Sequence, residues 1–144
     1  MSSRDNQDPS DQDSSLPSEA TASLVAVGVD LVERTRLTRS YERFGDRLLQ
    51  RVFTPIELAQ ADNRIEKLVG RFAAKEACSK ALGTGMISVA WREIEIIRST
   101  GGKPVLRLHG RAAERAKLLG LTAFDVSISD TREYGMAVVV GLRV

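Results

Sequence analysis

The chain has 144 residues, 28% of them charged, with a formal net charge of +2, one cysteine and one histidine. That length suits one domain, the lone Cys78 excludes an internal disulfide and fits a reducing compartment, and one Cys with one His exclude a zinc site of the usual kind. No apolar run approaches membrane-spanning length, no basic-then-apolar leader opens the chain, and the few aromatics do not interleave with basic residues as nucleic-acid stacking requires, so the expected setting is the cytoplasm, without membrane or nucleic-acid partners.

Residues 1–22 are rich in Ser, Asp, Asn, Gln and Pro and show no apolar period, which predicts a disordered acidic polar tail. They hold one Arg against four Asp and one Glu, net −4. Because the whole chain is +2, residues 23–144, expected to form the single folded domain, carry about +6, a balance suited to an anionic partner.

The first element, Leu24 to Leu31, is a short Val/Leu run that reads as a buried strand over 24–30, with Gly28 inside it and Asp30 near its end. A buried carboxylate is costly unless solvated or paired. A hard cation such as magnesium resolves the cost, since it takes oxygen ligands from one or two carboxylates and completes its shell with water and phosphates. Asp30 would then pair with Glu76, further along the chain. Asp30 also reads as the N-cap of a helix starting near Val32, and both readings stand.

That helix is expected to run to about Phe44, with a second short one after Gly45. Arg36, Arg39, Arg43 and Arg47 step by three, four and four residues and share a stripe, while Leu37, Tyr41, Phe44 and Leu48 form an apolar one. The arginine row is either a solvated face or a surface for acidic groups. Thr54-Pro55 opens a further helix, with Thr as cap and Pro in the first turn.

The central helix carries RFAAKEACSKALGTG from Arg71 to Gly85. Arg71 and Lys75, and likewise Glu76 and Lys80, stand four residues apart and share a face, so each pair can support the helix or converge on a ligand. Gly83-Thr84-Gly85 reads as a glycine C-cap or as a turn whose backbone N–H groups approach phosphate. Strands follow at about 89–98 and 104–108 around the turn Thr100 to Pro104, then a helix at 110–119 and strands at 123–129 and 135–142. Trp91 reads as sheet packing, His109 as a surface residue, and Ser127 and Ser129 as sharing one strand face. The element order favours an α+β fold, a mainly antiparallel sheet packed against helices including one long central helix.

GVDLVERTR (28–36), FTPIEL (53–58), GRFAAKEACSKALGTG (70–85), GGKPVLRLHGRA (101–112) and DVSISDTREYGMAVVV (125–140) together resemble the successive signatures of bacterial holo-(acyl carrier protein) synthases, the short 4′-phosphopantetheinyl transferases. The resemblance runs from Leu24 to the C-terminus. It implies a magnesium-dependent enzyme that moves the phosphopantetheine arm of coenzyme A onto a serine of apo acyl carrier protein and releases adenosine 3′,5′-bisphosphate. It implies a homotrimer with active sites at subunit interfaces.

By that resemblance Asp30 and Glu76 hold the metal, and Glu76, Lys80 and Asp125 are the catalytic set. Arg71, Lys75, Lys80, Gly83, Thr84, Gly85, Lys103 and Pro104 contact coenzyme A, while Arg36, Arg43 and Phe44 dock the carrier protein. One departure is Asp125, where many relatives carry His. An Asp accepts a proton but supplies neither imidazole nor imidazolium, so two general-base routes stay open: Asp125 itself, or a metal-bound water oriented by Glu76. The alternatives are a catalytically impaired module that still binds coenzyme A and, less well supported, a small basic nucleic-acid-binding domain.

Overall fold

A computed structural model describes residues 23–144, so the expected tail, 1–22, lies outside the described residues. The chain forms β1 (Val25–Glu33), α1 (Arg34–Phe44), α2 (Asp46–Val52), α3 (Pro55–Gln60), α4 (Ile65–Ala81), β2 (Ile94–Arg98), β3 (Pro104–Leu108), α5 (Gly110–Leu118), β4 (Ala123–Asp130) and β5 (Tyr134–Leu142). Strands β1, β5 and β4 make one antiparallel sheet in that order, and β2 and β3 make a separate antiparallel hairpin. The expected α+β architecture is present, with α4 as its long central helix.

Two boundaries differ from the expectation. Strand β1 continues to Glu33, so Asp30 lies within the ladder opposite Ala137, and the cap position of α1 is Glu33, whose side chain makes no capping bond. The N-cap reading of Asp30 is therefore wrong: cross-strand bonding to β5 extends β1 past the point where local cap preference would end it. The second expected strand begins only at Ile94, and Trp91 sits in a single 3₁₀ turn, Trp91–Glu93, stacked on Phe72 with ring centroids 4.8 Å apart.

Helix α4 is almost all interior, because its small residues let the sheet approach. Ala73, Ala74, Ala77 and Cys78 are buried, and burial pushes the Cys78 thiol up to about 12, which leaves it an inert packing residue. Strand β1 crosses α4 at Gly28, where an added Cβ would lie 1.8 Å from the Ala77 carbonyl oxygen. Strand β5 makes a similar approach at Gly135, over the Val69 backbone.

The opposite side of α4 is held by charge. Lys75 is fully buried, and its ammonium donates to Glu57 Oε1 at 2.7 Å and to the carbonyls of Trp91 and Ile94. Glu57 in turn closes the capping box of α3 with Thr54 and accepts the Ile96 amide at 3.1 Å. Burial draws the Lys75 pKa down and the Glu57 charge opposes it. Removing one partner of such a pair costs about 3–5 kcal/mol, because the other is left buried and uncompensated.

Gly28→Ala should destabilise the fold by about 1–3 kcal/mol or more, the usual cost of overpacking against rigid backbone, read from the urea midpoint. An unchanged midpoint would mean that β1 and α4 are not in the close contact described.

Candidate active site

Lys75 and Glu76 are consecutive, so their side chains leave α4 about 100° apart. Lys75 turns toward α3 and β2, and Glu76 turns toward β1. There it meets Asp30, whose even-numbered position puts it on the same sheet face as Gly28 and Val32, the face packed on α4. Lys80, one turn beyond Glu76, donates to Asp30 Oδ1 at 3.0 Å and to the Val29 carbonyl at 3.0 Å. Its side chain is 55% exposed.

Asp30 disturbs the Glu76 carboxyl. Burial, then the hydrogen bond and the charge of Asp30, push the Glu76 carboxyl up to about 7, while Arg36 and Lys80 pull the other way. Asp30 Oδ2 is buried with no hydrogen-bond partner. An orphaned carboxylate oxygen beside a carboxyl that resists ionisation is a site short of positive charge. The donor set fits a hard cation: among the described residues no group of three or more His, Cys, Asp or Glu gathers as a transition-metal cage would require, whereas magnesium needs only one or two carboxylates.

The remaining predicted residues fall into separate groups. Arg71 lines a cavity of about 310 Å³ with Gln60, Glu66, Lys67, Arg98 and Asp130; its guanidinium donates to Gln60 Oε1 and the Ile96 carbonyl, and burial followed by the Arg98 charge lowers its pKa. Lys103 pairs with Asp125 at 3.3 Å, both exposed, and Pro104 follows at the start of β3. Arg36, Arg43 and Phe44 lie on α1, all exposed, with the Arg43 guanidinium 5.0 Å from the Phe44 ring centroid.

Two predictions need correction, those for Lys75 and for the glycine turn, and Asp125 stands apart from the other acids. Lys75 cannot reach a phosphate, because its ammonium is enclosed and fully bonded to Glu57, Trp91 and Ile94. The amides of Gly83, Thr84 and Gly85 are not free anion donors: they bond to the carbonyls of Lys80 and Ser79, and Gly83 and Gly85 take positive φ to end the helix. Asp125 does not join Asp30 and Glu76 within one chain. It pairs across the ladder with Val140, on the sheet face opposite the one that carries Asp30 and Ala137.

Sequence reasoning passed over Glu57, although Thr54-x-x-Glu57 is a capping-box pattern that marks it. It also passed over Lys67 and Arg98 beside Arg71, and Arg51 and Phe72, which line a groove with Arg36 and with Trp91, read from sequence as sheet packing. These come together only in three dimensions.

A model of the 4′-phosphopantetheinyl transferase superfamily matches residues 26–139. The chain belongs to that superfamily. Among its relatives, the holo-[acyl-carrier-protein] synthase of Koribacter versatilis is 42% identical over 121 residues, covering 81% of this chain and 97% of that one. That of Chloroflexus aurantiacus is 47% identical over 129 residues, covering 78% and 94%. Among solved structures, the Helicobacter pylori holo-[acyl-carrier-protein] synthase in complex with coenzyme A superposes with a TM-score of 0.72 at 30% identity, covering 80% of this transferase chain and 98% of that one. The Neisseria meningitidis enzyme gives 0.74 at 32%, covering 81% and 96%.

The raised Glu76 pKa fixes a pH dependence. Between the ordinary value of 4.5 and about 7 the folded chain keeps a proton that the unfolded chain has lost. The stabilisation is thus complete below about 4.5 and is lost as pH rises through about 7. In chelator, Glu76→Gln should gain stability over the parent as pH rises from about 5 to about 8, measured by urea unfolding at each pH. A difference that stays constant with pH would contradict the carboxylate coupling.

Proposed function

We propose that this chain transfers the 4′-phosphopantetheine arm of coenzyme A to a serine of apo acyl carrier protein, with adenosine 3′,5′-bisphosphate leaving. The observation that carries the reading is the Asp30–Glu76 pair beside Lys80, a cation-deficient carboxylate site with a half-exposed lysine at its edge. Family membership and relatives bearing that activity's name support it.

In the transfer the serine oxygen forms a bond to the phosphorus that carries the pantetheine, and the bond from that phosphorus to the bridging oxygen breaks. The serine proton must go to a base, and the bisphosphate carries away the negative charge. Asp30 and Glu76 would hold Mg²⁺, which when bound neutralises phosphate oxygens. Lys80, released from Asp30 Oδ1, supplies a further positive group to the phosphates. The cavity around Arg71, with Lys67 and Arg98, offers a second anionic subsite suited to the nucleotide end of coenzyme A. Lys103 and Pro104 would contact the cofactor from the hairpin.

Asp125 enters from a neighbouring copy. The Val126 amide, then Lys103, hold its carboxyl below the usual range, so it stays ionised at neutral pH and can accept the serine proton's hydrogen bond. Its sheet face also carries Val25, Val27, Val29 and Leu31 of β1 opposite Leu142, Val140, Val138 and Met136 of β5. Val27, Val29 and Leu31 are each at least half exposed. An apolar patch of that kind calls for cover, and the homotrimer implied by the resemblance would cover it while bringing Asp125 to a neighbour's Glu76. Arg36, Arg43 and Phe44, the last 55% exposed, present cations and an apolar anchor for an acidic carrier. No helix among the described residues is long and apolar enough to cross a membrane, and we place the reaction in the cytoplasm.

Intact mass spectrometry of apo carrier protein incubated with this chain, coenzyme A and magnesium should show the gain of one phosphopantetheine, lost on chelation. Coenzyme A binding without that gain across several carriers would favour the impaired module instead. Asp30→Ala and Glu76→Ala should each lower the rate at least about 100-fold with the fold retained; near-parent rates in either would remove the metal assignment. Val29→Glu should give monomers by light scattering and abolish transfer, whereas an active monomer would rule out the shared site.

A further inference from the structure

Three arginines, Arg36, Arg47 and Arg51, line one groove along α1 and α2. Arg36, Ser40, Leu48, Arg51, Phe72 and Trp91 surround a cavity of about 190 Å³, and Phe44, Arg47, Leu48 and Arg51 surround another of about 330 Å³. The two share Leu48 and Arg51, so they form one basic channel with an apolar floor along α1 and α2. Arg39 and Arg43 stand exposed on the same helix, and none of these arginines forms a salt bridge among the described residues. The acids nearby are Glu33 and Glu42, both exposed and without a salt bridge among the described residues, Asp46, which accepts from the Tyr41 hydroxyl, and Glu76, whose carboxyl feels the Arg36 charge.

The sequence ahead of the fold has the opposite character. Asp5, Asp8, Asp11 and Asp13 fall within nine residues that contain no cation, and the superfamily match begins only at residue 26. Ser23 is tied by the Arg143 guanidinium at the far end of β1 from α1. Nine residues of strand separate that point from α1 by about 30 Å. An extended chain spans up to about 3.5 Å per residue, so Asp13 reaches about 35 Å and Asp5 about 60 Å from Ser23. The acidic stretch therefore covers the distance at which the groove lies.

We infer that residues 5–13 seat in the basic groove of α1 and α2. Charge complementarity and reach favour this segment as the occupant. Resting on the proposed reading of the same arginines as the carrier-docking surface, the segment competes with the carrier and tunes how much carrier the enzyme needs. It acts on docking, not on the transfer step.

The test uses the full chain and a variant with Asp5, Asp8, Asp11 and Asp13 each changed to Asn. At low salt the variant should show an apparent KM for carrier protein about two- to fivefold lower, as expected when a segment at millimolar effective concentration competes for a weak site, with kcat unchanged. The gap should close at about 0.5 M salt, where exposed charges are screened. Independently, a labelled peptide of residues 1–22 should bind the Asn variant, quench or shift the emission of Trp91, the only tryptophan, and lose its binding when Arg43→Glu and Arg47→Glu are added. Equal KM values together with no peptide binding would overturn the inference, as would peptide binding that ignores the arginine changes. Arginine-dependent peptide binding that carrier protein fails to displace would uphold the seat of the segment and overturn the carrier-docking reading.

Discussion

The close seating of β1 on α4 at Gly28 governs this structure. With the Ala77 carbonyl where a Cβ would otherwise be, the strand can come no nearer and shift little. That contact fixes the register between the two elements, and register decides chemistry: two residues after Gly28 along the strand comes Asp30, and one residue before Ala77 on the helix comes Glu76. A strand lifted by one methyl group would part the carboxylates and leave Lys80 short of Asp30. The buried Lys75–Glu57 pair acts from the other side, since it ties α4 to α3 and β2 and so opposes rotation of the helix away from β1. Packing on one side and a fully bonded charge on the other hold a single helix that carries both a structural lysine and the glutamate of the proposed site in adjacent positions.

The sheet divides the proposed site by the alternation of its side chains. Asp30 faces α4 with Gly28 and Val32, whereas Asp125 shares the open face with Val140 and the apolar residues of β1. No rotamer change moves a residue through a sheet, so one chain holds the carboxylate pair and presents Asp125 away from it. A fold of this size gains by this arrangement, because the apolar face that needs covering also carries the group that a second copy would receive.

The meeting of Asp30, Glu76 and Lys80 in the candidate site was legible in sequence, and the misreadings share a cause. Asp30 was recognisable as a carboxylate in an apolar strand whose burial demands compensation, and Glu76 by its four-residue spacing from Lys80 on one helix face. Lys75 stayed open between bracing the helix and contacting a ligand, since spacing along a helix gives relative angles but not which face meets the core; the Thr54-x-x-Glu57 pattern, read together with a lysine on a small-residue helix, is the signal that decides it. The glycine turn after α4 read equally well as a cap or a phosphate loop, and the amide bonds to Ser79 and Lys80 select the cap. Asp30 as N-cap and the early start of β2 were local readings overridden by tertiary structure, the first by the ladder to β5 and the second by the stacking of Trp91 on Phe72. The opposition of Asp125 to Asp30 follows from strand order, which the sequence pattern left open.

The most direct test of a site shared between chains is complementation between two inactive variants. Glu76→Ala and Asp125→Ala, purified separately, would be dissociated, mixed in equal amounts and reassembled before transfer to carrier protein is measured. A site built across an interface predicts recovery in about a quarter of the sites, those pairing an intact Glu76 with an intact Asp125 from a neighbour. No recovery from the mixture, or full activity in Asp125→Ala by itself, would contradict it.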